Sequence, residues 1–298
     1  MDDPRIWLRL RRRPVVWFSV SVLALLAAAA FLLPWLLPAD YREPSSLQLA
    51  PPSLAHPFGT DLNGRDLLYR VLNGTQISIV VGLAGAAIAL FIGTLYGMIA
   101  GYAGGRLDAA MMRLVDIFYS VPRLIFILVL INALNEWVKD FAAGLGWEWL
   151  VLYSRIAILI FSLGFIEWLT MARIVRGQVL ALKNRTFVTA AVALGQGHFR
   201  ILFRHLLPNL LGVILIYLTL TIPAVIIDES FLSFLGLGVE APLASLGSLL
   251  SSGASAINPI KSSWWLLVFP ALVMIFLLLS LNLLGDALRD AADPARNR

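Results

Sequence analysis

Four stretches of this chain run without a single charged side chain: residues 14–39, 71–105, 206–227 and 262–285. Each is longer than the roughly 20 residues a helix needs to cross about 30 Å of hydrocarbon. Two shorter apolar runs, 124–135 and 156–166, reach that length only if Arg113, Asp116 and Arg123 belong to the first and Glu167 to the second. A further charge-free stretch, 241–260, is too rich in Ser, Gly and Pro to read as a span. The pattern predicts an all-α integral membrane chain with six transmembrane helices, near 15–37, 78–101, 112–135, 152–175, 207–228 and 264–285.

Composition agrees. Of 298 residues, 59% are hydrophobic and only 14% charged, where a soluble domain carries roughly a quarter charged residues. A charge at mid-membrane costs about 2.5 kcal/mol or more, so a lipid-embedded chain sheds them. Cysteine is absent, which excludes disulfides and thiolate chemistry. The first apolar run follows Arg9, Arg11, Arg12 and Arg13 and could be mistaken for a signal peptide. It is about twice the usual core length, and Pro34 and Trp35 stand where a small-residue cleavage site is needed. It is expected to be an uncleaved anchor with its basic end inside, and six crossings then put both termini in the cytosol. Of the 23 Lys and Arg residues, only Arg42, Arg65, Arg70, Lys139, Arg155 and Lys261 fall outside, as the positive-inside rule requires. The +5 net charge is therefore a topology marker and not a nucleic-acid signature.

Three connections are long. Residues 38–77 are broken by Pro38, Pro44, Pro51, Pro52 and Pro57 and should be an irregular external segment. Residues 229–263 read as an external loop with short apolar pieces that dip towards the membrane. Residues 176–206, inside, alternate basic, small and apolar positions, which suits short amphipathic helices at the inner surface. On the second span Gly93, Gly97, Gly101 and Gly105 recur every four residues, a stripe that lets two helices approach closely or lines a pathway.

Candidate chemistry is sparse. No phosphate-binding loop occurs, and no glycine precedes a lysine, so any ATP is bound by another polypeptide. His56, His198 and His205 form no helical metal pairing, and no Ser has an oriented base. The chain is expected not to be an enzyme and to hold no metal or cofactor. The informative stretch is the inner one: Thr189-Ala190-Ala191 with Gly195 four residues on forms a small-residue face on a short helix, amid Arg185, Arg200 and Arg204. Such a face suits close docking of a partner protein, or a helix that lies on lipid phosphates.

That stretch resembles the Glu-Ala-Ala loop of ATP-binding-cassette (ABC) importer permeases, where Ala-Ala, three residues, Gly and about eleven more precede Leu-Pro, here Leu207-Pro208. Thr189 replaces the usual Glu. Other blocks resemble the dipeptide/oligopeptide/nickel branch: His56-Pro-Phe-Gly-Thr-Asp61 with Arg65-Asp66; Gly101 to Asp108 with Arg113 and Asp116; Arg204-His205-Leu-Leu-Pro-Asn209; Glu229 to Gly238 including Ser233; and Asn282 to Pro294. The resemblance implies a type I ABC importer permease fold, with an anchor and external segment at 1–75, a permease core at 76–285 and a cytosolic tail at 286–298. It implies a homologous permease subunit, two ABC ATPase subunits carrying ATP and magnesium, and an extracytoplasmic substrate-binding protein. It places the chain in a bacterial inner membrane, with peptides, nickel chelates or other small solutes as substrate. Phe187, Val188, Thr189, Ala190, Ala191, Leu194, Gly195, Arg200, Arg204 and His205 would then form the ATPase-coupling loop.

Other residues keep two readings. Asp61, Arg65 and Asp66 either order the external loop by local pairing or contact the delivery protein. Glu229, beside Asp228, is a solvated helix cap or part of an outer gate. Arg123 lies ten residues beyond Arg113, about 15 Å up a straight helix, and Glu167 about 9–14 Å from Arg173 and Arg176. They are expected to pair across spans three and four, the other reading being that each snorkels or lines the pathway. The rival functions are an ion-coupled secondary transporter using Glu167 or Asp228, an intramembrane enzyme, and a passive scaffold.

Overall fold

The computed structural model describes residues 13–36, 44–257 and 262–292. Arg9, Arg11, Arg12, Pro38, Arg42, Lys261, Asp293 and Pro294 lie outside them, as does the tail beyond 292. The described residues form α1 (Pro14–Leu36), α2 (Leu67–Ala103), α3 (Gly105–Ser120), α4 (Arg123–Gly144), α5 (Glu148–Leu182), α6 (Thr186–Ala193), the single turn α7 (His198–Arg200), a π turn (Ile201–Leu206), α8 (Leu207–Phe234), α9 (Leu246–Ser255) and α10 (Trp265–Ala292). Among these, five helices are long and apolar enough to cross a membrane, and the bent pair α3–α4 passes the same test when taken as one span, for a total of up to six.

The bend revises the third span. A straight helix over 112–135 is replaced by two helices meeting at 88°. Pro122 has no N–H to donate and forces its predecessor out of the helical region; Val121 sits at φ −82°, ψ 128°. The depth of Arg123 therefore cannot be counted up from Arg113. It is set by α5, on which Glu167 lies twelve residues below Arg155, about 18 Å.

Other boundaries move outward. The external segment ends at Asp66, not 77, because Asp66 caps α2 by accepting from the backbone N–H groups of Leu68 and Tyr69. The loop expected over 229–263 instead contains the last turn of α8 and the ten-residue α9, which carries a Ser245/Ser248 capping box. Residues 286–292 continue α10 as helix.

The bundle has two polar faces. At one, Trp265 Nε1 at the start of α10 donates to the carbonyl of Thr60 (3.3 Å), next to the start of α2. At the other, Arg13 meets Asp290 (3.1 Å), so α1 begins where α10 ends. Between them α2 lies along α5. A Cβ on Gly93 would fall 2.5 Å from Met171 Cβ, and one on Gly101 would fall 2.9 Å from the carbonyl of Arg176. Gly97 meets the backbone of Ala172 and Arg176. The stripe is therefore a packing seam. Gly105 does not belong to it: with Gly104 it takes positive φ (58° and 66°) in the turn into α3. One apolar cluster, including Val81, Ile127, Ile131, Leu159, Leu163 and Val225, joins α2, α4, α5 and α8. A second, including Met98, Val175, Val179, Val188, Ala191, Leu206 and Leu210, ties α6 onto α2, α5 and α8.

Candidate functional site

The face on which α2 and α5 end is built around α6. The helix ends because Gly195 adopts φ +73°. Gln196 N–H then reaches the carbonyl of Ala191 (3.1 Å) and Gly195 N–H that of Val192 (2.9 Å), a Schellman closure. Of the residues expected to form a coupling loop, Val188 and Ala191 turn inward, 2% and 4% exposed, and pack into the bundle. Phe187, Thr189, Ala190 and Leu194 are exposed, with Leu194 79% open. Arg200 and Arg204 are also exposed. His205 meets the Gln196 side chain at 2.7 Å. The π turn leads into α8 without a gap. Pro208 cannot donate, and its ring would strike the carbonyl four residues back in a tight α-helical turn; the wider turn admits it. Below α2, Asp108 takes a bidentate pair of bonds from Arg176 (2.5 and 2.7 Å). Asp116 pairs with Arg173 (2.6 Å), and Lys183 caps the carbonyl of Gly101 (3.0 Å).

The opposite face is held by short-range polar contacts. Asp61 accepts from the backbone N–H groups of Asn63 and Arg65, both at 2.8 Å, and pairs with Arg70 at 2.6 Å. Asp66 caps α2 and meets His56 Nδ1 at 2.8 Å. Arg65 and Asp66 do not pair with each other; Asp61 and Asp66 each have a backbone turn and a different side-chain partner, Arg70 for the first and His56 for the second. Arg155 fastens the turn after α8, donating to the carbonyls of Gly238 (2.7 Å) and Leu237 (3.2 Å) and pairing with Glu240.

Glu229 is not a solvated cap. It is fully buried and accepts from Ser233 Oγ (2.7 Å), Ser78 Oγ (3.1 Å) and Ser230 Oγ (3.2 Å). Ser78 Oγ in turn accepts from the backbone N–H of Leu246 (3.4 Å) at the start of α9, where the helix dipole favours a carboxylate. Gly247 permits this approach: a Cβ there would lie 2.5 Å from Ser230 Cα. The cage locks α2, α8 and α9 together. Its serines carry no distinguishing pattern in sequence, so only Glu229 and Ser233 were legible.

The neighbouring Asp228 belongs to another cluster. Arg123 Nη2, at the first position of α4, donates to both Glu167 on α5 and Asp228 on α8. The structure thus brings Arg123 and Glu167 together and adds Asp228, which sequence alone placed at a helix end. Among the described residues no three His, Asp or Glu side chains converge as a metal site.

Comparison with known proteins follows the same outline. Residues 93–298 match the family model described as binding-protein-dependent transport system inner membrane component. Residues 5–52 match that of the N-terminal TM domain of oligopeptide transport permease C. The oligopeptide transport system permease protein OppC of Haemophilus influenzae is 41% identical over 279 residues, covering 93% of this chain and 83% of its own. The dipeptide transport system permease protein DppC of Bacillus subtilis is 40% identical, covering 98% and 85%. Among solved structures, an inward-facing MetNI methionine ABC transporter aligns with a TM-score of 0.54 at 17% identity, over 76% of this chain and 98% of the other. At that identity the likeness speaks to the fold.

Proposed function

Because the chain belongs to the family of binding-protein-dependent transport system inner membrane components, we propose that it is a permease subunit of an ATP-driven importer of oligopeptides or dipeptides. The peptide substrate is carried over from what its relatives are named for. The partners are a homologous permease, two ATPase subunits that hold ATP and magnesium, and an extracytoplasmic protein that delivers substrate. The termini lie on the cytosolic face with α6.

One observation carries this reading. The short helix α6 presents Phe187, Val192 and Leu194 to the outside, 37–79% exposed, although it lies at a polar face and not within the bundle. Its inward side chains Val188 and Ala191 join the apolar cluster shared with α2, α5, the π turn and α8, and the run from His198 to Phe234 is long and apolar enough to cross a membrane. A partner seated on that apolar surface would move α6 as a lever, and α8 would carry the motion to the Arg123 and Glu229 clusters. Nucleotide-driven closure of the ATPases then opens the path between the two permeases.

The test is to co-purify the chain with its genetic neighbours and measure ATP hydrolysis with and without loaded binding protein. A cysteine at Ala190 or Leu194 should crosslink to the ATPase, and uptake should persist under an uncoupler while ATP is held constant. Uptake in the absence of any ATPase, with no crosslink, would sink the reading.

A further inference from the structure

The residues that order the segment before α2 leave one arginine over. Asp61 is buried, 5% exposed, and both of its oxygens are filled. Oδ1 accepts from the backbone N–H groups of Asn63 and Arg65, both at 2.8 Å, and Oδ2 pairs with Arg70 Nη1 at 2.6 Å. Asp66 caps α2 and meets His56. The Arg65 guanidinium has no acidic partner among the described residues. It lines a cavity of about 200 Å³ together with Asp61, Arg70, Leu249 and Ser252 of α9, and Leu266 of α10.

The cavity is short of acceptors. Two guanidiniums stand against one carboxylate, the only acidic side chain in its lining, so one positive charge is uncompensated. Nε of Arg65 and Nε of Arg70 are both buried without an acceptor, and a buried donor left unpaired costs about 1–3 kcal/mol. The helix ends around the cavity offset one another. Leu67 and Leu266 belong to the first turns of α2 and α10, and Ser252 and Gly253 to the last turn of α9, so their partial charges have opposite signs. The guanidiniums therefore set the sign of the site. An arginine fork matches a carboxylate in a bidentate pair.

Size selects among the carriers of a carboxylate. About 200 Å³ is below the roughly 300–1,000 Å³ of cavities that enclose a small-molecule ligand, so a side chain fits where a whole peptide does not. The cavity lies at the polar face where α2 and α10 begin, opposite α6, and the exposed Leu62 and Asn63 are part of its lining. Resting on the reading of the chain as a binding-protein-dependent permease, we propose that this cavity receives an Asp or Glu side chain of the extracytoplasmic binding protein, gripped by Arg65. Asp61 is a positioning residue that holds Arg70 and the backbone of Arg65 in place beneath it.

The complex reconstituted in liposomes with its ATPases tests this, with ATP hydrolysis followed as loaded binding protein is titrated. Arg65→Gln should raise the concentration for half-maximal stimulation roughly tenfold, the loss of one charge-assisted hydrogen bond, and should lower the maximal rate far less. Arg65→Lys, which keeps the charge and loses the fork, should fall between. Added salt should weaken wild-type stimulation more than that of Arg65→Gln, because the pair it screens is absent from the variant. An unchanged half-maximal concentration, or a fall in maximal rate alone, overturns the proposal in favour of a structural arginine. A defect confined to uptake of a free peptide and absent for its C-terminal amide, with binding-protein titration unmoved, overturns it in favour of the peptide's own carboxylate. If Arg65→Gln fails to assemble, Arg65→Lys decides by the same titration. A wild-type complex that loaded binding protein never stimulates refutes the permease reading itself, an outcome distinct from a stimulated complex whose titration ignores Arg65.

Discussion

Asp228 and Glu229 are consecutive on α8, yet they sit in opposite kinds of surroundings. Glu229 is sealed among three serine hydroxyls beside the start of α9 and touches no cation. Asp228 shares the Arg123 guanidinium with Glu167. A 100° turn of the helix separates them. A buried polar group whose bonds are all filled by its own chain holds helices in place. One that shares a single arginine with a second carboxylate ties three helices through charge, with part of its bonding capacity left over.

The sharpest way to break this contrast is Glu229→Ala. It removes one acceptor from three buried hydroxyls, at about 1–3 kcal/mol for each left unsatisfied, so folded protein should be nearly lost by size-exclusion chromatography and thermal unfolding. Glu229→Gln, which keeps an acceptor, should restore much of it. If Asp228→Ala is equally damaging, the two carboxylates are not different in kind. Next comes Arg123→Ala, expected to cost about 2–3 kcal/mol, at or below the lower end for a buried pair because Arg123 is partly open. The double exchange Arg123→Glu with Glu167→Arg, made together with Asp228→Asn so that the carboxylate at position 123 meets no like charge, should recover expression that either single change loses; no recovery means the pair does not hold α4 to α5.

At α6 the same logic separates the two sides of the helix. Val188→Asp buries a charge in the apolar cluster that holds α6 and should destabilise by roughly 2 kcal/mol. Asp66→Ala, which removes the cap of α2, should cost about 1 kcal/mol in thermal melts. The smallest effect on stability belongs to Leu194→Ala, within about 0.5 kcal/mol as for an ordinary surface change. The same variant should still uncouple ATP hydrolysis from loaded binding protein. A Leu194→Ala complex with undiminished stimulation would show that the exposed side of α6 seats no ATPase.

Much of the architecture was legible because lipid imposes a one-dimensional rule. Stretches such as 71–105 and 206–227 lack charge for the length of a crossing, and that alone locates α2 and α8. Pro122 was visible in the same way but lay inside an expected span, and the pattern of apolar residues on either side concealed the turn it forces. Asp66 was legible as a loop residue; that it caps α2 depends on the backbone turning at Gly59 and Gly64, both at φ 75°. For the inner helix, the small residues pointed to the right segment. Which of them face inward was decided by the direction in which α6 packs, and Val188 and Ala191 lie on the buried side.

The amino-acid order alone therefore located the apolar runs, the basic residues between them and a short helix within 176–206, because each follows from transfer free energies and local periodicity. Tertiary structure decided the partners of the polar groups. Ser78 and Glu229 are 151 positions apart and Arg123 and Asp228 are 105 apart, and no local pattern links residues at such separations. The turn at Val121–Pro122 aims Arg123 at α8, and Gly82 and Gly85 let α2 lie close against Ile226 and Val225 of α8, which brings the helices near enough for those bonds to form. Distance along the chain hides them; packing creates them.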